Sequence, residues 1–191
     1  MFASQSALAV RYAESLAKEA TVRGLIGPRE VPRLWERHLL NCVYPVERVP
    51  LNARVADVGS GAGLPGLVWA IARPDLHVTL IEPLRRRTVY LEKVVSELGL
   101  KVEVIRSRAE EVDRTFDFVT ARAVAPLEKL ARWCLPLVTT GGSLLALKGS
   151  SVADEVAAAT DSLRRMGAVD ISVDKYGPVD GGTTVVEVVL E

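Results

Sequence analysis

The chain has 191 residues, 24 Lys plus Arg against 24 Asp plus Glu, 49% hydrophobic residues and 25% charged, a balance that excludes a disordered or collagen-like chain. At this length roughly 70% of the unfolded surface is buried on folding, so a core can form without disulfide or metal staples; Cys42 and Cys134 stand at neither metal-ligand nor redox spacing. No stretch approaches about 18 consecutive apolar residues, and the opening MFASQSALAVRYAESL lacks a basic region followed by an apolar one, so a cytoplasmic protein with no membrane association is expected.

Zero net charge hides an asymmetry. Residues 1–108 carry 16 basic and 11 acidic side chains, and residues 109–191 carry 8 and 13. Such a split hints at a face for an anionic partner, and ordinary solvated surface is the alternative.

Apolar residues at three and four spacing (Leu8, Tyr12, Leu16, then Val31, Leu34, Trp35, Leu39) predict two amphipathic helices over 5–24 and 29–42, broken at Gly27-Pro28. They form a helical extension over 1–50. From 51 onwards short apolar strands alternate with helix-period segments: strand 54–59, helix 66–72, strand 77–82, helix 85–98, strand 102–106, strand 116–122, helix 127–138 and strand 142–148. Alternation of this kind builds a parallel sheet covered by helices on both faces. A helix over 151–166 precedes strands 169–176 and 183–190, whose link GPVDGG is too short for a parallel crossover, so the last pair is antiparallel. The expected fold is α/β, a seven-stranded Rossmann-like doubly wound sheet with an antiparallel last strand, in one domain over 1–191.

The strongest local signal is DVGSGAGLPG, Asp57 to Gly66, between the first strand and its helix. Glycines there let the backbone approach a ligand at the carboxyl edge of the sheet, which makes Gly59, Ser60, Gly61, Gly63 and Leu64 the expected cofactor contacts. Glu82 ends the second strand, where a carboxylate accepts hydrogen bonds from ribose hydroxyls, a position that fits NAD as well. Asp57 is placed to hold a cationic amino-acid moiety and to repel pyrophosphate, which favours S-adenosylmethionine; a turn or helix-capping role is the alternative.

The combination resembles the seven-stranded S-adenosylmethionine-dependent methyltransferases. Five further strings, in order, narrow it: LWERHLLN (34–41), VADVGSGAGLPG (55–66), RSRAEE (106–111), TARA (120–123) and LALKG (145–149). With these the chain resembles the RsmG (GidB) family of bacterial small-subunit ribosomal RNA guanine-N7 methyltransferases over nearly its whole length. The resemblance implies methyl transfer from S-adenosyl-L-methionine to N7 of a guanosine in 16S ribosomal RNA, with ribosomal RNA or the small ribosomal subunit as partner, and a monomer is expected. It places Ala109 and Glu110 beside the adenine, makes Arg108, Arg122 and Lys148 basic positions tied to activity or RNA contact, and puts His38 in the RH motif of the extension. Arg122 is also expected at the cofactor. Where family members often carry an Arg before the last strand, this chain reads Gly181-Gly182-Thr183-Thr184, so another basic residue is needed for any RNA contact of that arginine.

The residues suit the acceptor. In this fold an amino nitrogen is served by an Asn/Asp-Pro-Pro-aromatic string after the fourth strand, and here stands Ala121-Arg122-Ala123-Val124; Cys134, mid-helix, reads as core and not as a nucleophile. Guanine N7 has a free lone pair and no proton to lose, so no general base is required. Arg122 and Lys148 are the candidate catalytic residues, orienting O6 or flanking phosphates, with surface ion pairing as the alternative. No metal is expected. Arg33, Arg37 and His38 form a basic stripe suited to RNA, while His38 beside Trp35 also suits a packing role. Arg85, Arg86 and Arg87 open a helix, where positive charge calls for a partner: RNA phosphate, Glu82 or Asp75. Trp69 and Trp133 fall on expected core faces. Two rival functions stay open, an NAD-dependent oxidoreductase and a non-catalytic RNA-binding module on the same fold.

Overall fold

Strands β1 (Arg54–Val58) and β2 (His77–Ile81) are buried at every residue after the first, which is the pattern of strands covered on both faces and not of a half-solvated sheet. With β3 (Val102–Ile105), β4 (Phe116–Arg122), β5 (Val138–Lys148), β6 (Ala168–Tyr176) and β7 (Thr183–Leu190) they form one sheet in the order β3-β2-β1-β4-β5-β7-β6. The first five are parallel, and β7 runs antiparallel to both β5 and β6. This is the seven-stranded α/β architecture expected. The computed structural model describes residues 2–122, 124–149, 152–178 and 181–191, so part of the β6–β7 link and the first residue of the helix expected at 151 lie outside the described residues.

Helices α1 (Ser6–Ser15) and α2 (Asn41–Val43) belong to the extension, whereas α3 (Gly66–Ala72), α4 (Arg85–Leu98), α5 (Leu127–Cys134) and α6 (Val152–Arg165) follow strands. One core packs Tyr12, Leu16 and Leu39 of the extension with Leu67 and Trp69 of α3 and Tyr90 and Leu91 of α4. A second core, on the opposite face, gathers Leu127, Leu130 and Ala131 with Ala159 and Leu163. Each such Leu buried contributes about 1.5–3 kcal/mol relative to exposure. Polar bonds join the extension to α3 and to the sheet: Trp69 Nε1–H of α3 donates to the Cys42 carbonyl at 2.6 Å, and Arg48 Nε–H donates to the buried carboxylate of Glu187 on β7 at 2.8 Å.

Three elements depart from the sequence pattern. The extension is not two regular helices: α1 continues as a π-helical turn over Leu16–Ala20, and the second segment runs through a 3₁₀ stretch (Pro28–Arg33), a π-helical turn (Leu34–Leu40), α2 and another 3₁₀ stretch (Tyr44–Arg48). Pro28, Pro32 and Pro45 offer no N–H, which suits short tight turns better than a continuous α-helix. Helix α5 stops at Cys134, four residues earlier than the apolar pattern implies, because Pro136 sits in a 3₁₀ turn over Leu135–Leu137. Strand β5 correspondingly starts at Val138, pairing with Phe116 before a register shift.

Candidate active site

The chain leaves β1 for β2 on one side and later returns through β4 on the other, so the carboxyl ends of β1 and β4 open a crevice of the kind that binds ligands in α/β sheets. The glycine loop fills its floor. Gly59 N–H donates to the Ile81 carbonyl (2.8 Å), Gly63 N–H to the Ser60 carbonyl (2.7 Å), and Ser60 Oγ–H to the Asp57 carbonyl (2.8 Å). Two glycines are required sterically. Gly63 has φ +100°, and a Cβ there would meet Leu67 at 2.4 Å and the Tyr12 hydroxyl at 2.9 Å; at Gly66 a Cβ would fall 2.4 Å from Leu80 and 2.7 Å from the Asp57 carboxylate.

Asp57 stands behind the loop, is fully buried and lines neither of the two cavities described below. Its Oδ2 accepts the Gly66 N–H at 2.9 Å at the start of α3, while Oδ1 has no partner among the described residues. Burial pushes its carboxyl up to about 7, opposed by the Gly66 N–H and by the charge of Arg122.

Above the loop lies a cavity of about 730 Å³, the size of a small-ligand site. Gly59, Ser60, Gly61, Leu64, Glu82, Arg108, Ala109, Glu110 and Arg122 line it, and Gly63 does not. Glu82 is buried at the end of β2, where Oε2 accepts the Gly61 N–H (3.0 Å) and the Arg87 guanidinium (3.3 Å) and Oε1 accepts the Leu84 N–H (3.0 Å). The compensating partner of Arg87 is therefore Glu82; Asp75 pairs with Arg73 at 2.7 Å. A carboxylate has about four acceptor sites, so Glu82 keeps capacity for a ribose hydroxyl. Trp133, expected as core, is half-buried and lines this cavity, with the Lys129 ammonium 5.1 Å from its ring centroid. Trp69 is fully buried as expected.

A second cavity of about 640 Å³ lies alongside, lined by Arg37, Asn41, Lys148, Glu155 and Thr183. Glu30, His38, Arg122 and Val124 line both cavities and form the wall between them. Lys148 Nζ donates to the Ala125 carbonyl (2.9 Å) and to Glu155 Oε2 (2.7 Å), and Glu155 also accepts the Leu127 N–H at the start of α5 (2.9 Å). The ion pair expected as the alternative for Lys148 is present, but in the cavity wall and not on open surface. Arg122 donates through Nη1 to Cys42 Sγ (3.0 Å) and through Nη2 to His38 Nδ1; His38 Nε2 meets Glu30 Oε2 at 2.9 Å. Trp35 instead packs edge-on against Phe2. Burial pushes the Cys134 thiol well up, consistent with a core residue.

The residues suit an adenosyl ligand bearing an amino acid: an acidic strand end at Glu82, glycine backbone below, and an unpartnered carboxylate oxygen of Asp57 under the loop. Sequence pattern alone misses two groups at the cavities. Glu30 carries no periodic signal that separates it from solvated surface, and the apolar helix around Trp133 predicts core for a ring that lines the first cavity. Among the described residues no group of three or more His, Cys, Asp or Glu is gathered as for a metal, and no helix is long and apolar enough to cross a membrane.

Solved structures share the fold: the tRNA (m1A58) methyltransferase TrmI of Aquifex aeolicus (TM-score 0.61, 14% identity, covering 78% of this chain and 67% of that one) and an S-adenosylmethionine-dependent O-methyltransferase of Thermotoga maritima (TM-score 0.60, 16% identity, 84% and 69%). Much closer in sequence are proteins named ribosomal RNA small subunit methyltransferase G. That of Nocardioides sp. is 59% identical over 181 residues, covering 93% of this chain and 72% of the relative; that of Salinispora arenicola is 54% identical over 200 residues, covering 98% and 83%. The GidB family model, described as rRNA small subunit methyltransferase G, matches residues 5–180. The chain belongs to the GidB family.

Proposed function

We propose that this chain transfers a methyl group from S-adenosylmethionine to N7 of a guanosine in small-subunit ribosomal RNA. The observation that carries the reading is the pair of cavities meeting at one wall, with the glycine loop and Glu82 on one side and Arg37 and Lys148 on the other. The first would take the cofactor, which supplies an electrophilic methyl group on a sulfonium. The second would take the acceptor base. An in-line displacement needs alignment and exclusion of water more than acid–base chemistry.

Gly59, Ser60, Gly61, Leu64 and Glu82 would hold the adenosyl and amino-acid parts, with Ala109, Glu110 and Trp133 at the purine end. Asp57 and Gly63 keep the loop in shape. Arg122 at the shared wall would orient guanine O6, and Lys148, with one ammonium proton beyond its two hydrogen bonds, would hold O6 or a phosphate. Among the described residues His38 is the only histidine lining either cavity, and its Nδ1 already accepts from Arg122, so it offers no general base. That agrees with an acceptor nitrogen that has no proton to lose.

Exposed Arg33, Arg85 and Arg86, with Arg37 and Arg108 at the cavities, supply charge for the RNA backbone. The whole chain acts as one methyltransferase domain and as a monomer in the cytoplasm. Incubation with labelled S-adenosylmethionine and small ribosomal subunits, followed by mapping of the label, tests the reading. Label on guanine N7 supports it; label elsewhere, or none, overturns it.

A further inference from the structure

The wall between the cavities is built from three elements. Arg122 comes from the end of β4, His38 from the π-helical turn Leu34–Leu40, and Glu30 from the 3₁₀ stretch Pro28–Arg33. A guanidinium has only donors, so the Arg122 contact requires His38 Nδ1 to be an unprotonated acceptor. The ring proton of the neutral imidazole is then on Nε2, 2.9 Å from Glu30 Oε2, and the carboxylate accepts it. Which nitrogen of a histidine carries the proton is set by the bond the other nitrogen makes. Here the two bonds agree, and they end on Arg122, among the described residues the one arginine that lines both cavities, with one Nη1 proton on Cys42 and three further N–H donors left for a ligand.

We propose that Glu30 is a positioning residue for methyl transfer: by accepting the Nε2 proton of His38 it fixes the tautomer whose Nδ1 holds Arg122 at the wall between donor and acceptor. The inference rests on the methyl transfer proposed for these two cavities. Without Glu30 the imidazole is free to carry its proton on Nδ1, which would set an N–H against a guanidinium and release Arg122. Doubly protonated His38 would do the same. The charged groups facing His38 are Glu30 and Arg37 from the extension and Arg122 from β4; burial and then Arg122 hold its pKa below the ordinary 6.5, while Glu30 pulls it up. The neighbouring Cys42 thiol is kept protonated by burial. Glu30 thus favours the right tautomer but also brings protonation of His38 closer to neutrality.

The test uses the full chain, small ribosomal subunits and three proteins: wild type, Glu30→Gln and Glu30→Ala. Single-turnover methylation at saturating S-adenosylmethionine, where a change in cofactor affinity at this shared wall does not enter the rate, should fall about tenfold or more in Glu30→Ala. Glu30→Gln, whose amide oxygen accepts the same proton, should recover most of the rate. The acid limb of the wild-type rate should move to lower pH in Glu30→Ala, because the group that raises the His38 pKa has gone; lost folding alone would not move it. Nitrogen NMR of histidine-labelled protein reads the tautomer directly, with exposed His77 as the only other signal. An Nε2–H tautomer in wild type that becomes mixed in Glu30→Ala supports the inference. Wild-type rate in Glu30→Ala, or an unchanged tautomer, overturns it while leaving the proposed function standing. Absence of N7 methylation by the wild type overturns both, and the NMR result then shows whether the Glu30–His38 bond exists regardless.

Discussion

Tyr12 of the extension donates its hydroxyl proton to the Ala62 carbonyl, 2.9 Å away in the middle of the glycine loop, and is itself fully buried. The loop that carries the expected cofactor contacts is therefore fastened by a residue 50 positions earlier in the chain. Tyr12→Phe removes the bond and leaves a buried carbonyl without a donor, a cost of about 1–3 kcal/mol. Thermal unfolding should drop by about 2–4 °C per kcal/mol, and calorimetry should show weaker S-adenosylhomocysteine binding. Unchanged binding by a destabilised variant would separate loop shape from loop stability.

Asp57 gives a pH signature. Its carboxyl sits near 7 in the folded chain, raised by burial from the ordinary 3.8, so the folded state resists its ionisation. The penalty is absent below about pH 4, grows as pH rises towards 7 and is constant above, with an upper bound of about 4 kcal/mol. Asp57→Asn should therefore gain stability relative to wild type between about pH 4 and 7 in denaturant titrations and hold that gain at higher pH. If Oδ1 meets the ligand's ammonium through a water or a small loop shift, the same variant should bind S-adenosylhomocysteine about 10- to 150-fold more weakly, the loss of one charge-assisted bond.

Lys148 separates acceptor from cofactor more cleanly than Arg122, because Lys148 lines only the second cavity and Arg122 lines both. Lys148→Ala should lower single-turnover methylation by about 100-fold, or roughly 2.7 kcal/mol of transition-state stabilisation. Its S-adenosylhomocysteine affinity should stay near wild type. Loss of affinity equal to the loss of rate would refute acceptor positioning.

Among the described residues Arg33, Arg85 and Arg86 make no ion pair within the chain and are exposed, unlike Arg87. If they meet RNA phosphates, replacing them should flatten the log-log salt dependence of RNA binding by about 0.7–0.9 for each phosphate no longer neutralised. An identical slope in the folded triple variant would assign them to ordinary surface.

Much of the architecture is legible in the sequence because its signals are local. Helix 85–98 and strands 116–122 and 183–190 fall where periodicity and turn residues put them. The extension is not, since its π and 3₁₀ turns arise from packing against α3 and α4 and from three prolines whose effect on pitch has no period. Around the cavities the glycine loop and Glu82 follow from the strand–turn–helix pattern, whereas Asp57 needs depth: sequence places it at the loop but not on which side. Glu30 is noticed only through its bond to His38, whose other ring nitrogen meets Arg122, 92 residues beyond Glu30, and sequence alone leaves that histidine divided between packing and RNA.

A wall shared by two cavities also ties their occupants together. If a ligand in one cavity sets how firmly Arg122, His38 and Glu30 are ordered, the other ligand meets a wall already arranged or still loose. Reciprocity then applies: whatever factor the cofactor product imposes on RNA affinity, RNA imposes on the cofactor product. Arg122, which lines both cavities, is the group through which the two affinities would be coupled.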